Sequence, residues 1–342
     1  MLRESGAGVL EVTTLGWAAT LALLSGLLLF DLLYSGRRPH AVGFREAVLW
    51  SVFYVSAALL FGVVFGVIAG WDVGAQYFAG YIVEKSLSVD NLFVFLIIMS
   101  TFAVPPEEQS RALTLGIIAA LAMRAVFIAV GAALLDAFSF MFLVFGLALM
   151  ATAVQLFRHR GEDPSVDDNI LVAAARRLLP LTSHYDGSKL VTRVDGRRVL
   201  TPLFLVLVAI GSTDVLFALD SIPAVFGVTQ HAYIVFVANA FALLGLRALF
   251  FLVSGLLDRL IYLSTGLAVI LAFIGVKLVL HFAHLHTSAV PEISTGASLA
   301  VIVVLLASVT AASLIKARRD PTLRAHAGRL REHRPETDTP SD

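Results

Sequence analysis

The chain has 342 residues, of which 58% are hydrophobic and 15% charged, and its mean hydropathy is +0.87. This balance excludes an ordinary soluble domain and predicts an all-α polytopic membrane protein whose main partner is the lipid bilayer. The 25 basic residues equal the 25 acidic residues in number, and the absence of cysteine excludes disulfides, thiolate metal ligands and thiol catalysis. We expect no nucleic-acid partner.

Several apolar runs are long enough to cross about 30 Å of hydrocarbon. We predict nine spans, near residues 12 to 34, 46 to 69, 78 to 102, 111 to 135, 137 to 157, 202 to 226, 231 to 254, 260 to 283 and 294 to 316. The first run lacks a basic leader and a small-residue cleavage site, so we interpret it as a retained helix and not as a signal peptide. The predicted transmembrane domain is therefore 1–316.

Basic residues are concentrated in one set of alternating loops. Eight Lys and Arg residues fall between residues 158 and 201 and seven between Lys316 and Arg334, whereas the opposite loops, such as 284 to 293, contain none. By the positive-inside rule, the amino terminus lies outside and the tail is cytoplasmic. The basic face is expected to lie against anionic lipid.

Two segments lie outside the predicted spans, namely 158–201 and 317–342. The first contains an amphipathic stretch from Asn169 to Leu179, followed by turn signals at Asp186-Gly187 and Asp195-Gly196. We predict an interfacial helix and a turn-rich cytoplasmic linker, and a regulatory role for it stays open. The Arg-rich tail is predicted to be disordered.

The chain repeats itself across this linker. Glu84-x5-Asp90-Asn91 matches Asp214-x5-Asp220-Ser221, and Arg124-Ala-Val-Phe matches Arg247-Ala-Leu-Phe in the following helix. We interpret the match as a duplicated three-helix unit, at about 78–157 and 202–283. Because three is odd, the second unit enters the membrane from the opposite face, which is the inverted repeat typical of secondary transporters.

The helices outside the repeat are expected to pad the bundle or to dimerise into a homo-oligomer. Gly62-x3-Gly66-x3-Gly70 in the second span gives a small-residue face. Such a face allows a close helix contact.

Four carboxylates interrupt apolar runs: Glu84 and Asp90 in the third span, and Asp214 and Asp220 in the sixth. An ionised side chain in hydrocarbon costs at least ~2.5 to 3.5 kcal/mol, so these acids indicate a cation path. In a continuous helix the two acids of one span lie about 120° apart. We therefore expect the backbone to unwind near them, with Pro223 interrupting the sixth span.

Asn91 and Ser221 each lie seven residues after the first acid of their span and share its face. Together with the carboxylates they form an oxygen ligand set that suits Mn²⁺, Mg²⁺ or Ca²⁺ better than Cu or Zn. We expect no prosthetic group. We also expect no enzyme activity, because no convincing nucleophile or metalloprotease motif is present.

Two alternatives use the basic residues within the spans. One-to-one pairing with Lys85, Arg124, Arg247 and Lys277 would neutralise all four acids, or the two arginines would hold the acids when metal is absent. A carrier of anions or amino acids would use the arginines themselves to bind its substrate.

Other polar residues have simpler explanations than a site. The cluster of His281, His284 and His286 at the outer end of the eighth span fits a wet interface better than an ion path. Asp31 is expected to pair with Arg37 or Arg38, and Asn239 to hydrogen-bond between helices.

The sequence resembles the TerC/Alx family of bacterial integral membrane proteins over about residues 15 to 316. The resemblance lies in the segments from Glu84 to Phe95 and from Ser212 to Val225, and in a third from Asn239 to Leu249. It implies manganese efflux across the inner membrane, or metal supply to exported proteins, and a link to tellurium resistance. It also implies a set of metal-binding residues: Glu84, Asp90, Asn91, Asp214, Asp220 and Ser221.

We therefore expect a divalent metal exporter for Mn²⁺ that exposes an acidic site between spans three and six to each side in turn. Protons exchange on the same carboxylates when metal leaves, since burial favours the neutral acid. The alternative from another class is a non-transporting membrane scaffold or stress sensor that acts through residues 158–201 and the tail.

Overall fold

A computed structural model of the chain describes residues 2–5, 9–37, 43–158, 170–182, 184–187, 189–194, 197–253, 262–287, 290–291 and 293–319. These residues form an all-α polytopic membrane protein with two short antiparallel hairpins. The helices are α1 (Thr14–Arg37), α2 (Phe44–Ala69), α3 (Trp71–Thr101), α4 (Pro106–Ala137), α5 (Met141–Arg158), α6 (Ile170–Leu178), α7 (Pro202–Phe226), α8 (Ala232–Leu244), α9 (Leu246–Val253), α10 (Leu263–His286) and α11 (Thr295–Arg319). The strands are β1 (Leu2–Ser5), β2 (Val9–Val12), β3 (Val191–Val194) and β4 (Arg197–Leu200).

Within the described residues, eight helical stretches are long and apolar enough to cross a membrane. Helix α3 is not among the eight, although it has 31 residues, and its middle carries Glu84, Lys85 and Asp90. The predicted span at 231 to 254 consists of α8 and α9, separated at Gly245. The count of nine spans stays a prediction, as does the inverted repeat.

The small residues of α2 face α3 of the same chain. A Cβ atom at Gly62 would lie 2.6 Å from the ring of Phe78, and one at Gly66 would lie 3.5 Å from the Cα of Gly74. Two of the three predicted small residues, Gly62 and Gly66, are therefore buried against α3, whereas Gly70 follows the end of α2 and is exposed. Large apolar side chains on the opposite side of α2, such as Leu60 and Val67, are exposed, as expected for side chains that contact lipid.

Helices α5 and α10 approach each other through two glycines. A Cβ atom at Gly146 would lie 2.8 Å from the carbonyl oxygen of Gly275, and a Cβ at Gly275 would lie 2.8 Å from that of Gly146. The two backbones are thus in direct contact, which is a common way to pack helices where water provides no driving force. This contact fixes α10 beside the core helices.

The described parts of 170–201 contain more regular secondary structure than the turn-rich linker that the sequence predicts. Helix α6 buries Val172 and Ala175, and β3 and β4 form a hairpin around the predicted turn. The turn residues 195–196 lie outside the described residues. Of the tail, only 317–319 are described, and they continue α11.

This segment connects the end of α3 to the start of α7. The Tyr185 hydroxyl donates to the carbonyl of Phe102, 2.7 Å away, directly after α3. The Thr201 hydroxyl, directly before α7, donates to the carbonyl of Lys189 at 2.7 Å. Burial raises the pKa of Tyr185 to about 12, so its hydroxyl stays protonated and remains a donor at neutral pH. We call residues 180–201 the clasp.

Replacing Gly146 with Leu tests the contact between α5 and α10. We expect it to lower the stability of the purified protein by about 1 to 3 kcal/mol, because the new side chain overlaps the Gly275 carbonyl. Thermal unfolding in detergent measures the change. The control is Gly26→Leu in α1, where a Cβ meets nothing within 4 Å. Equal unfolding temperatures for the two variants would contradict the contact.

Replacing Tyr185 with Phe tests the clasp. The variant keeps the ring but loses the hydrogen bond to Phe102, which should lower stability by about 0.5 to 1.5 kcal/mol. The effect should be seen as faster proteolysis within residues 180–201 and a lower unfolding temperature. Tyr262→Phe is the control, since that ring is 38% exposed. Unchanged proteolysis of Tyr185→Phe would show that the bond does not hold the clasp.

Candidate metal centre

A layer of buried polar side chains lies between two apolar clusters in the middle of the bundle. The first cluster includes Val83, Ile128 and Ile222, and the second includes Leu92, Ile117 and Ile210. The polar residues fall between these positions on the same three helices: Glu84 on α3, Arg124 on α4 and Asp214 on α7. Apolar side chains therefore separate the polar layer from both ends of the bundle.

Arg124 is the centre of this layer. Its Nε donates to Asp214 Oδ2 at 3.2 Å and its Nη2 donates to Asp214 Oδ1 at 3.0 Å, which is a bidentate pair. Its Nη1 donates to Glu84 Oε1 and to the Ser221 hydroxyl, the latter at 3.2 Å. One guanidinium thus connects α3, α4 and α7.

The charges in this cluster do not balance. Glu84 and Asp214 contribute two carboxylates, whereas Arg124 contributes one guanidinium. With both acids ionised, the cluster carries one excess negative charge, and its three side chains are at most 2% exposed. A buried charge of this kind needs a further cation or a proton.

On α3 the polar residues follow the helical period. Glu84, Ser88 and Asn91 are spaced by four and three residues, and all three are buried. Helix α3 is continuous from Trp71 to Thr101, so Asp90 is turned about 120° away from Glu84. The side chain of Asp90 lies outside the described residues.

On α7 the two acids have different partners. Asp214 and Ser221 contact Arg124, whereas Asp220 accepts a hydrogen bond from the Thr152 hydroxyl of α5 at 2.9 Å. The expected unwinding is wrong, because α7 is helical from Pro202 to Phe226 with Pro223 inside it. Pro223 cannot donate to the carbonyl of Leu219, but the helix continues past it to Phe226. The two acids therefore diverge as an unbroken helix requires.

The structure therefore brings together three of the six predicted metal residues: Glu84, Asp214 and Ser221. Asn91 shares the buried face of Glu84, Asp220 faces α5, and the Asp90 side chain is not described. Among the described residues, no group of three or more Asp, Glu or His side chains is arranged to hold a metal ion. With Arg124 in place, the acids bind a guanidinium.

Two of the other basic residues, Lys85 and Arg247, have partners outside the four acids. The Lys85 ammonium donates to the carbonyl of Ala242 at 3.0 Å, close to the junction of α8 and α9. Arg247 donates to Asp31 at 2.6 Å and to the Ser110 hydroxyl at 2.8 Å. Asp31, which was expected to pair with Arg37 or Arg38, forms this buried pair with Arg247, and the Tyr54 hydroxyl also donates to Asp31. The side chains of Arg37 and Arg38 lie outside the described residues.

Sequence reasoning named Arg124 only as an alternative partner and did not identify Thr152. The position of Arg124 in the repeat could have identified Arg124 as a site residue. Nothing in the sequence distinguished Thr152, since a single threonine in an apolar run is common.

The three outer histidines do not form a cluster. Imidazole nitrogens of His281, His284 and His286 lie 2.8 Å from Gln230 Nε2, 2.6 Å from the Val290 carbonyl and 3.0 Å from the Phe282 carbonyl, respectively. His281 lines a cavity of about 840 Å³ at this end of the bundle, together with Gln76, Phe226, Gly227, Thr229, His231 and Lys277. Burial lowers the pKa of His231, which favours its neutral form.

Comparison with known proteins identifies relatives across most of the chain. An uncharacterized membrane protein of Mycobacterium tuberculosis is 46% identical over 317 residues, which is 88% of this chain and 79% of the relative. The thylakoid membrane protein TERC, chloroplastic, of Arabidopsis thaliana is 42% identical over 84% of this chain and 72% of its own length.

A putative membrane-bound redox modulator Alx of Salmonella typhi is 36% identical over 92% of this chain and 98% of its own length. No solved structure matches the chain. Residues 69–321 match the integral membrane protein TerC family, a range that contains the whole Arg124 cluster. The chain therefore belongs to the integral membrane protein TerC family.

Proposed function

We propose that this protein transports divalent metal ions, with Mn²⁺ as the preferred cargo, out of the bacterial cytoplasm across the inner membrane. In this proposal the amino terminus is outside and the tail is cytoplasmic. The observation that carries it is that two buried carboxyl groups, Glu84 on α3 and Asp214 on α7, share a single guanidinium. Buried acidic groups in a membrane protein are costly and are typical of an ion pathway.

Arg124 has a specific part in this proposal. It holds the two acids when no metal is present, which avoids the large cost of two unpaired buried carboxylates. A metal ion that enters the layer competes with the guanidinium for the same oxygens. The polar layer then has two arrangements, one with the acids bound to Arg124 and one with the acids bound to metal. Alternating access needs two states of this kind.

The position of the layer supports access from one end at a time. Phe226 and Gly227 line the cavity, and Ser221 lies five residues deeper on α7, or about 7.5 Å along the helix axis. Apolar side chains of the first cluster occupy this interval, and the second cluster separates the layer from the other end. An ion reaches the acids only when one cluster opens.

Protons are the proposed counter-ions. When metal leaves, a proton on one of the two acids removes the excess negative charge, since burial disfavours an unpaired carboxylate. Metal and proton would then occupy the same group at different stages of one cycle.

A second function, a membrane scaffold or stress sensor, is favoured by one observation. The clasp is folded against the ends of α3 and α7, so a partner that binds it would affect both helices. The Alx relative is named a putative membrane-bound redox modulator, which is a different role from transport. The 342 residues here contain no cysteine, so a thiol of this chain cannot serve such a role.

Flux through proteoliposomes distinguishes these two functions. We expect Asp214→Asn to lower Mn²⁺ flux at least tenfold, because it removes one of the two carboxylates in the layer. The matched control is Asp31→Asn, which disrupts a similar buried ion pair outside the layer and should retain most of the flux. Absence of flux in the unchanged protein would favour the scaffold, and equal flux in both variants would exclude the layer as the path.

Removing Arg124 tests its competition with metal. We expect Arg124→Gln to destabilise the metal-free protein by about 3 to 5 kcal/mol, because two buried carboxylates lose their partner. Added Mn²⁺ should restore thermal stability in proportion to its binding to the freed acids. Arg247→Gln breaks the other buried pair, and Mn²⁺ should not restore its stability. Equal effects of Mn²⁺ on the two variants would show that the Arg124 cluster is only a structural ion pair.

A further inference from the structure

We propose that Ser88 and Asn239 complete the metal-binding position next to Glu84, so that an incoming ion binds there before Arg124 releases the acids. This inference rests on the proposed transport of divalent metal. It concerns two residues outside the predicted metal set. Both are on helices that line the polar layer, α3 and α8.

The first observation is a group of buried polar atoms without hydrogen-bond partners. Among the residues that the structure describes, no partner is found for Oε2 of Glu84, the hydroxyl of Ser88, or the oxygen and the nitrogen of the Asn239 side-chain amide. The three residues are at most 1% exposed. Buried polar groups in proteins are almost always paired, and each unpaired group costs about 1 to 3 kcal/mol. Several such groups in one region therefore indicate a position for a ligand.

The second observation places Asn239 in the polar layer. On α8, Val235 belongs to the first apolar cluster and Leu243 to the second, and Asn239 lies midway between them on the same helix face. Arg124 and Asp214 fall between the same two clusters on their own helices, and Glu84 contacts Arg124. Asn239 is thus the contribution of α8 to this layer.

Contacts between α3 and α8 also indicate that Glu84 and Asn239 lie at the same height along the bundle. A Cβ atom at Gly80 would lie 3.4 Å from Ala238 Cβ, and the Lys85 ammonium lies 3.0 Å from the Ala242 carbonyl. Both helices therefore run in the same direction here, and residues 80 to 85 of α3 lie level with residues 238 to 242 of α8. Glu84 and Asn239 are both inside these limits.

The two oxygens of Glu84 have different roles in this arrangement. Oε1 accepts a hydrogen bond from Arg124, whereas Oε2 has no partner in the described part of the chain. A cation can therefore bind Oε2 while the ion pair is intact, which avoids an intermediate with two unpaired carboxylates. Transfer of Glu84 from the guanidinium to the metal then becomes a stepwise exchange.

The available atoms select a particular class of ion. A carboxylate oxygen, a hydroxyl and an amide oxygen are hard ligands, which suit Mn²⁺, Mg²⁺ or Ca²⁺ that has lost part of its water shell. The amide nitrogen of Asn239 can donate a hydrogen bond to a water that stays on the ion. With one carboxylate, such a position binds weakly, as a transport intermediate must.

The test measures Mn²⁺ binding and stability in the same samples. Ser88→Ala and Asn239→Leu are prepared in the full-length protein, and the concentration of Mn²⁺ that gives half of the thermal stabilisation is determined. We expect both variants to unfold at the same or a higher temperature without metal, since an unpaired polar group is removed. We call this half-stabilising concentration the Mn²⁺ requirement. We expect it to rise by about tenfold or more, and we expect the KM for Mn²⁺ flux to rise with it.

The matched control is Ser51→Ala on α2. The Ser51 hydroxyl is also buried and without a partner, but it lies on a helix that contributes nothing to the Arg124 cluster. This variant should leave the Mn²⁺ requirement unchanged. A purely structural role for Ser88 and Asn239 predicts the same result for all three variants, which would overturn the inference.

A gain of charge provides a second test if Asn239→Leu does not fold. Asn239→Asp adds a carboxylate to the proposed position, so we expect lower stability without metal and a lower Mn²⁺ requirement. A loss of stability that Mn²⁺ does not reverse would overturn the inference. If the unchanged protein shows neither Mn²⁺ flux nor stabilisation, the proposed function fails as well. If only the variants fail to respond as expected, the function stands and these two residues are excluded.

Discussion

The buried guanidinium of Arg124 is the interaction on which the arrangement of the central helices depends. A guanidinium stays charged in a protein, so its five donors need acceptors wherever the fold places it. The acceptors come from α3 and α7, and this requirement fixes the rotation of both helices about their axes. The remaining excess of negative charge follows directly, since two acids satisfy the geometry of one arginine but exceed its charge.

The sequence was sufficient to predict the membrane class, the family, and the burial of Glu84 and Asp214, because charged residues in apolar runs are rare and expensive. It also gave the angle between Asp214 and Asp220, which the unbroken α7 confirms. The sequence did not predict which side chains these buried acids contact. Helical periodicity defines the direction of a side chain on its own helix, whereas Asp31 with Arg247 and Asp220 with Thr152 depend on how helices pack in three dimensions.

The clasp shows a different limit of sequence reasoning. Two strands of four residues carry too little alternation to be distinguished from a loop, and their pairing depends on contacts that are distant in the chain. In the structure, Thr201 and Tyr185 turn this segment into a connection between α3 and α7. The two helices that carry the acids are therefore tied together twice, once at Arg124 and once at the clasp.

These two ties determine where the bundle can open. Helices α3 and α7 are unbroken around the acids, so the proposed cycle moves them as whole helices. The clasp holds the ends of these helices next to Phe102 and Thr201, and Arg124 holds their middles. Their other ends, at Gln76 and Gly227, border the 840 Å³ cavity instead. In the proposed transport cycle, release of one acid by Arg124 would loosen α3 and α7 at the end that borders the cavity, whereas opening of the opposite end would also require release of the clasp.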